Sequence, residues 1–254
     1  MFGGVRIPSR RRSREEGEKP FWISFSDLMS ALMVLFLIAM SVALLAVTKT
    51  VSDIDREDKE RTEAIAALMD DIQKDVAQKE FEGIRVIGNT IDFGPRGRFE
   101  EKRNILSPDQ VLLLRKFTPT LLERLRTSEA GKRWFKRALV EGYASRTGTY
   151  LFNLNLSIER SQRVLCELLR EPGGGQTALT DSDRMVIATK FFAGGASFNS
   201  FETNPINARR IEIKLEFKTR PEAKVEQANP PPPVDQESLL RALDPKERCP
   251  IQDR

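Results

Sequence analysis

Histidine is missing from all 254 residues of the chain. Its absence removes the commonest general base and the commonest metal ligand together. Cysteine is scarce, and the two present, Cys166 and Cys249, cannot build a metal site unaided. Metal centres, zinc hydrolysis and most covalent catalysis therefore lose their usual parts, and neither enzymatic activity nor a cofactor is expected. An excess of one charge sign is missing too. Lys and Arg number 41 against 37 Asp and Glu, for a formal net charge of +4 and a pI near 9.1. Beyond residue 20 the two signs are mixed, which does not resemble a nucleic-acid-binding surface. The length suits one folded core with accessory segments.

What the chain does have is one long apolar run, FWISFSDLMSALMVLFLIAMSVALLAV, from Phe21 to Val47. A helix needs about 20 mainly apolar residues to cross a bilayer core. A secretory signal has a shorter apolar region, about 7 to 15 residues, and ends in a small-residue cleavage site. The run is therefore expected to be retained as a span. Arg6, Arg10, Arg11, Arg12, Arg14 and Lys19 precede it, and an Asp- and Glu-rich stretch follows. The positive-inside rule then puts the N-terminus in the cytoplasm and everything after Thr48 outside, in a single-pass membrane protein. Phe21 and Trp22 stand where an aromatic belt marks the cytoplasmic interface.

Asp27 interrupts this run roughly 7 to 8 Å beyond Trp22. Two readings are open. As a first-turn carboxylate it would be favoured by the helix dipole or reach headgroup water. As a carboxylate within hydrocarbon it would cost on the order of 2.5 to 3.5 kcal/mol, which points to an ion path or a partner helix. Desolvation raises a carboxyl pKa, so a site alternating between wet and dry surroundings would load and release a proton. Ser24 and Ser30 lie on roughly the same helix side, either as hydroxyl ligands for the carboxylate or a cation, or as small residues for close packing.

Residues 48–82 lack Pro and Gly and carry Ile65, Leu68, Ile72 and Val76 at helical spacing. Such a stripe either pairs with a second copy or packs on its own domain. Further on, 84–93 reads as a strand. Residues 106–125 form a helix with Ser107 as N-cap, Pro108 at its first position and Pro119 as a kink or break. Strands are expected at 138–142 and 211–217, and a helix over 156–169 starting at Asn155 or Ser157. The alternation favours a two-layer α/β sandwich, so that the whole chain is α+β: one transmembrane helix and one mixed domain. The expected organisation is a basic cytoplasmic segment (1–20), a transmembrane helix (21–47), an amphipathic linker helix (48–82), the outer domain (83–218) and an extended Pro-rich tail (219–254). Gly173, Gly174 and Gly175 suggest a phosphate loop, but no Lys-Ser or Lys-Thr follows. Cys166 and Cys249 would both lie outside the membrane, in oxidising surroundings where a disulfide pinning the tail, an intermolecular bridge and two free thiols all fit the spacing.

The span resembles that of MotB-type stator subunits, and Asp27, Leu28, Met29, Ser30 and Ala31 carry the pattern. The resemblance implies a homodimer of this helix inside a pentamer of a MotA-like multi-span membrane subunit, with Asp27 relaying H⁺ or Na⁺. The run EGYASRTGTYLFNLNLSIERSQRVLCELL together with NARRIEIKLEF is similar to OmpA-like peptidoglycan-binding domains. Gly142, Tyr143, Asn153, Leu156, Ser157, Arg160, Arg209, Arg210, Glu212 and Ile213 stand at family positions. That resemblance implies peptidoglycan as ligand, with Arg160 taking a stem-peptide carboxylate and Tyr143, Asn153 and Arg209 around it. The family's Asp for the diaminopimelate amine is Ser145 here, with Ala144 replacing the usual Thr, so the amine side of the pocket departs from the pattern. Among stators the chain looks most like the B subunits of Zorya anti-phage defence motors, whose cytoplasmic effectors would act with it indirectly. Flagellar stators come next, followed by a passive wall tether, which has no use for Asp27. Transporter energisers of the ExbD and TolR kind share the span but lack the wall-binding signature.

Overall fold

The computed structural model describes residues 19–199 and 202–254, and the side chains from residue 22 onward. The basic residues from Arg6 to Arg14, on which the expected orientation rests, and the Phe21 side chain of the expected belt lie outside the described residues. The chain divides into two compact units, Met1–Arg56 and Glu57–Arg254.

Helix α1 (Lys19–Val76) runs without interruption, since no Gly or Pro occurs between Phe21 and Val76 to free a carbonyl or loosen the backbone. Its opening stretch, within the first unit, is apolar and exposed from Trp22 onward apart from Asp27 and a few serines; among the described residues it is the one helix long and apolar enough to cross a membrane. Its closing stretch belongs to the second unit, and there Ile65, Leu68, Ile72 and Val76 are buried in that unit's core. Of the two uses open to this stripe, the structure takes packing on its own domain. The helix ends at Val76, short of the expected 82, and Arg124 holds Asp75 by a forked contact, Nε to Oδ2 at 2.7 Å and Nη2 to Oδ1 at 2.8 Å.

The segment 84–93 is two strands where one was expected. β1 (Arg85–Ile87) and β2 (Thr90–Asp92) form a hairpin across Gly88 and Asn89. Gly88, at φ 58°, supplies the left-handed residue that such a two-residue turn needs first. Next comes α2 (Pro108–Thr127), opened by a capping box between Ser107 and Gln110; Pro119 neither breaks nor ends it. After α3 (Glu129–Arg133), strand β3 runs Phe135–Gly142 and α4 runs Tyr150–Leu169. Helix α4 begins before the expected Asn155 or Ser157, because Thr149 accepts a hydrogen bond from the Phe152 amide and caps it. Helix α5 (Asp181–Lys190), the glycine-bearing strand β4 (Phe191–Gly195), α6 (Pro205–Ala208) and β5 (Ile211–Phe217) complete the domain.

The five-stranded sheet has the order β1-β2-β5-β3-β4, with only β3 and β4 parallel. Ala138, Val140, Ile211, Ile213 and Leu215 turn one face into a single core with Leu113, Phe117, Leu121, Val164 and Leu168 of α2 and α4. Leu139, Glu141, Glu212 and Lys214, on alternate positions, leave the other face partly open. This is the two-layer α+β arrangement expected. The tail is not extended. It forms α7 (Arg220–Ala228) and α8 (Gln236–Ala242), and Cys249 is bonded to Cys166 of α4 with the Cα atoms 5.8 Å apart.

Candidate functional site

Arg160 is the centre of the second unit's loop end, and it has no exposed surface. Its Nε donates to the Arg103 carbonyl at 2.9 Å, Nη1 to the Tyr143 carbonyl at 2.6 Å and Nη2 to the Glu100 carbonyl at 3.0 Å. The guanidinium also lies 4.8 Å from the Phe99 ring centroid. Burial, with Arg209 nearby, pulls its pKa down to about 9. Arg160 therefore ties the 99–103 loop to the end of β3, and its forked donors point at backbone. Gly142 lets α4 come this close: a Cβ there would stand 2.0 Å from the Ser157 carbonyl.

The other family positions divide by exposure. Ser145 is buried, with its hydroxyl on Thr147 Oγ1 at 3.3 Å, and Asn153 is buried, with Nδ2 on the Thr147 carbonyl at 3.1 Å. Both shape the loop between β3 and α4. Tyr143 and Arg209 are half-buried. Arg209 Nε donates to the Phe99 carbonyl at 3.1 Å while the Phe99 amide donates to the Arg209 carbonyl at 2.8 Å, a second grip on the same loop. The Tyr143 hydroxyl donates to Glu141 at 2.7 Å, and burial together with that carboxylate pushes its pKa far up, so the phenol stays neutral.

Beside these residues opens a cleft of about 510 Å³ lined by Arg85, Arg98, Tyr143, Asn207, Arg210 and Glu212, among others. Arg210 lies 4.2 Å from the Tyr143 ring centroid and bonds Glu212 at 2.6 Å. Sequence reasoning named Tyr143 but missed Arg85, Arg98 and Asn207. The hairpin brings Arg85 here and the GPRGR turn brings Arg98, and neither has a periodic or motif signal.

The C-terminal segment reaches the same loop from outside. Asn104 donates to the Gln252 carbonyl at 2.9 Å and to Glu159 at 3.0 Å, and it accepts the Arg254 amide at 3.1 Å. Arg163 pairs with Asp253 at 2.5 Å.

In the first unit, Asp27 and Ser24 make no side-chain hydrogen bond among the described residues, while the Ser30 hydroxyl donates to the Ser26 carbonyl at 2.8 Å. Within one chain the structure does not bring Ser30 to Asp27.

No protein-family model matches the chain. The Zorya protein ZorB of Escherichia coli O139:H28 is 36% identical over 220 residues, covering 85% of this chain and 88% of that protein. Among solved structures, a periplasmic domain of Helicobacter pylori MotB shares 16% identity at a TM-score of 0.40, over 60% of this chain and 90% of that one. The OmpA-like domain of FopA1 from Francisella tularensis shares 16% identity at a TM-score of 0.34, over 54% of this chain and 82% of that one.

Proposed function

We propose, on the premise that the chain belongs to the Zorya ZorB family, that it is the wall-anchored, non-enzymatic B subunit of an ion-driven rotary motor in anti-phage defence. The observation that carries the motor reading is a single carboxylate, Asp27, in the otherwise uncharged apolar stretch of α1 from Trp22 to Val47. A carboxylate that costs on the order of 2.5 to 3.5 kcal/mol in hydrocarbon is retained for a purpose, and a titratable group in a dry interface serves ion relay directly. In this reading the chain crosses the inner membrane once, with its first residues in the cytoplasm and residues 57–254 in the periplasm. Two copies pair inside a pentamer of a MotA-like multi-span subunit, Asp27 loads and releases H⁺, and Ser24 lies one turn away on the side facing that partner.

The second unit supplies the fixed point. It grips peptidoglycan through the loop end where Arg160 and Arg209 organise residues 99–103, with Ser145 and Asn153 setting the neighbouring loop. Cytoplasmic effectors of the defence system respond to the motor without touching this unit. The test is phage plating efficiency on cells carrying the whole native locus, wild type against Asp27→Asn at matched membrane abundance. Loss of protection in the Asn variant is the expected result. Equal protection would make the chain a passive tether.

A further inference from the structure

Residues 243–254 are laid as a strap along α4 and end on the loop that Arg160 and Arg209 hold. At the near end the Glu171 amide donates to the Pro245 carbonyl at 2.7 Å, and Arg184 reaches the Leu243 carbonyl. Past Cys249 the strap meets Asn104, which has no exposed surface. Asn104 Nδ2 donates to the Gln252 carbonyl at 2.9 Å, and its Oδ1 accepts the Arg254 amide at 3.1 Å. The strap therefore fastens one end of the 99–104 loop, which Arg160 ties elsewhere through the Glu100 and Arg103 carbonyls.

What keeps residues 250–254 docked is weak apart from the Cys166–Cys249 bond. None of them belongs to the buried apolar core. The ion pairs of Arg163 with Asp253 and of Arg254 with Glu159 are solvent-facing, the Asp253 side chain being 71% exposed and that of Arg254 39%. Such pairs contribute little, and the hydrogen bonds to Asn104 replace bonds to water while five residues give up backbone freedom. The bridge offsets that loss by fixing the near end of the segment against α4, which raises the effective concentration of the rest at its docking site. The bridge is also within reach of solvent. Both cysteines are half-buried, a cleft of about 600 Å³ opens beside Cys249, and another of about 220 Å³ opens beside Cys166.

We propose that Cys166–Cys249 is a redox switch for the 99–104 loop: closed, it keeps residues 250–254 on Asn104 and the loop ordered; opened by a dithiol, it frees both. One thiolate of the dithiol attacks a sulfur of the bridge, breaks the S–S bond and forms a mixed disulfide. Its second thiolate then displaces the protein sulfur, so two electrons and two protons pass to Cys166 and Cys249 and the dithiol leaves as a disulfide. The consequence for wall attachment rests on the peptidoglycan reading, in which this loop belongs to the grip.

The experiment is hydrogen exchange of the full chain in detergent, oxidised and after dithiothreitol, at labelling times over which the interior of α2 stays protected. Co-sedimentation with peptidoglycan sacculi is measured on the same samples. Amides in 99–104 and 250–254 should exchange about tenfold faster or more after reduction and recover on reoxidation, and sacculus retention should fall with them. Cys249→Ser should behave as the reduced protein with or without dithiothreitol. Asp253→Ala, with the bridge closed, should change loop exchange by no more than about fivefold, the most an exposed pair supplies. Equal loop exchange in the oxidised and reduced protein would overturn the switch, and so would Asp253→Ala loosening the loop as much as reduction does. A loosened loop with unchanged sacculus retention would overturn its control of the grip. If the oxidised wild type retains no sacculi, the peptidoglycan reading falls, while loop exchange still decides the switch.

Discussion

The two ends of helix α1 share one continuous backbone and are patterned differently. From Trp22 to Val47 the apolar side chains are exposed on every side of the helix. From Ile65 to Val76 they occupy one stripe, which is buried in the core of the second unit, while the remaining faces carry charge. The same backbone therefore serves two solvents. All-round apolarity suits lipid or partner helices, and a stripe suits a water-facing domain. Charge placement follows the same division. Along the span a single acid, Asp27, stands alone, whereas Asp75 near the helix end is buried only because Arg124 meets it with two hydrogen bonds.

The contrast is broken most strongly at the stripe. Leu68→Ala or Ile72→Ala should cost the second unit about 2 to 5 kcal/mol, measured by denaturant unfolding of the full chain in detergent. Leu35→Ala or Leu44→Ala in the span should leave that transition unmoved. Cys249→Ser opens a bridge between residues 83 apart in sequence and should cost about 2 to 4 kcal/mol in the same transition, with dithiothreitol reproducing the effect. Asp75→Asn leaves Arg124 half-paired and should cost about 1.5 to 3 kcal/mol. A smaller effect sharpens the picture at the surface. Lys136 and the Thr219 cap hold the Glu222 pKa down to about 2 from an ordinary 4.5. Since the folded value is the lower one, its contribution to stability is present above pH 4.5 and is lost as pH falls toward 2. Following the Glu222 carboxyl by NMR should show that late titration, and Lys136→Ala should move it upward.

Much of this was legible from the residues. The span, the Ser107 cap, β5 and the alternation of strand and helix follow from apolar period and capping chemistry, which act locally. What escaped was set by long-range contacts or by short, weak signals. Whether the stripe at Leu68 and Ile72 meets a second copy or its own domain depends on core residues that all follow downstream. The hairpin at Gly88 reads as one strand because a two-residue turn scarcely interrupts an apolar segment. Strand β4 carries two glycines and lies at the sheet edge, and the tail's two short helices depend on caps at Thr219 and Asp235. At the site, family positions led to Arg160, Ser145 and Asn153, whose burial emerges only once α4 and the 99–103 loop are packed together. Arg85 and Arg98 had no sequence signal, because the hairpin and the turn that bring them to the cleft show neither periodicity nor motif.

The central claim is that Asp27 works as an ion-relaying carboxylate while the second unit only holds position. Its most direct test is proton flux into inverted membrane vesicles containing this chain and its multi-span partner, wild type against Asp27→Asn, with Asp75→Asn as the control acid. Flux is expected to disappear with Asp27→Asn and to persist with Asp75→Asn. Undiminished flux through Asp27→Asn would contradict the claim.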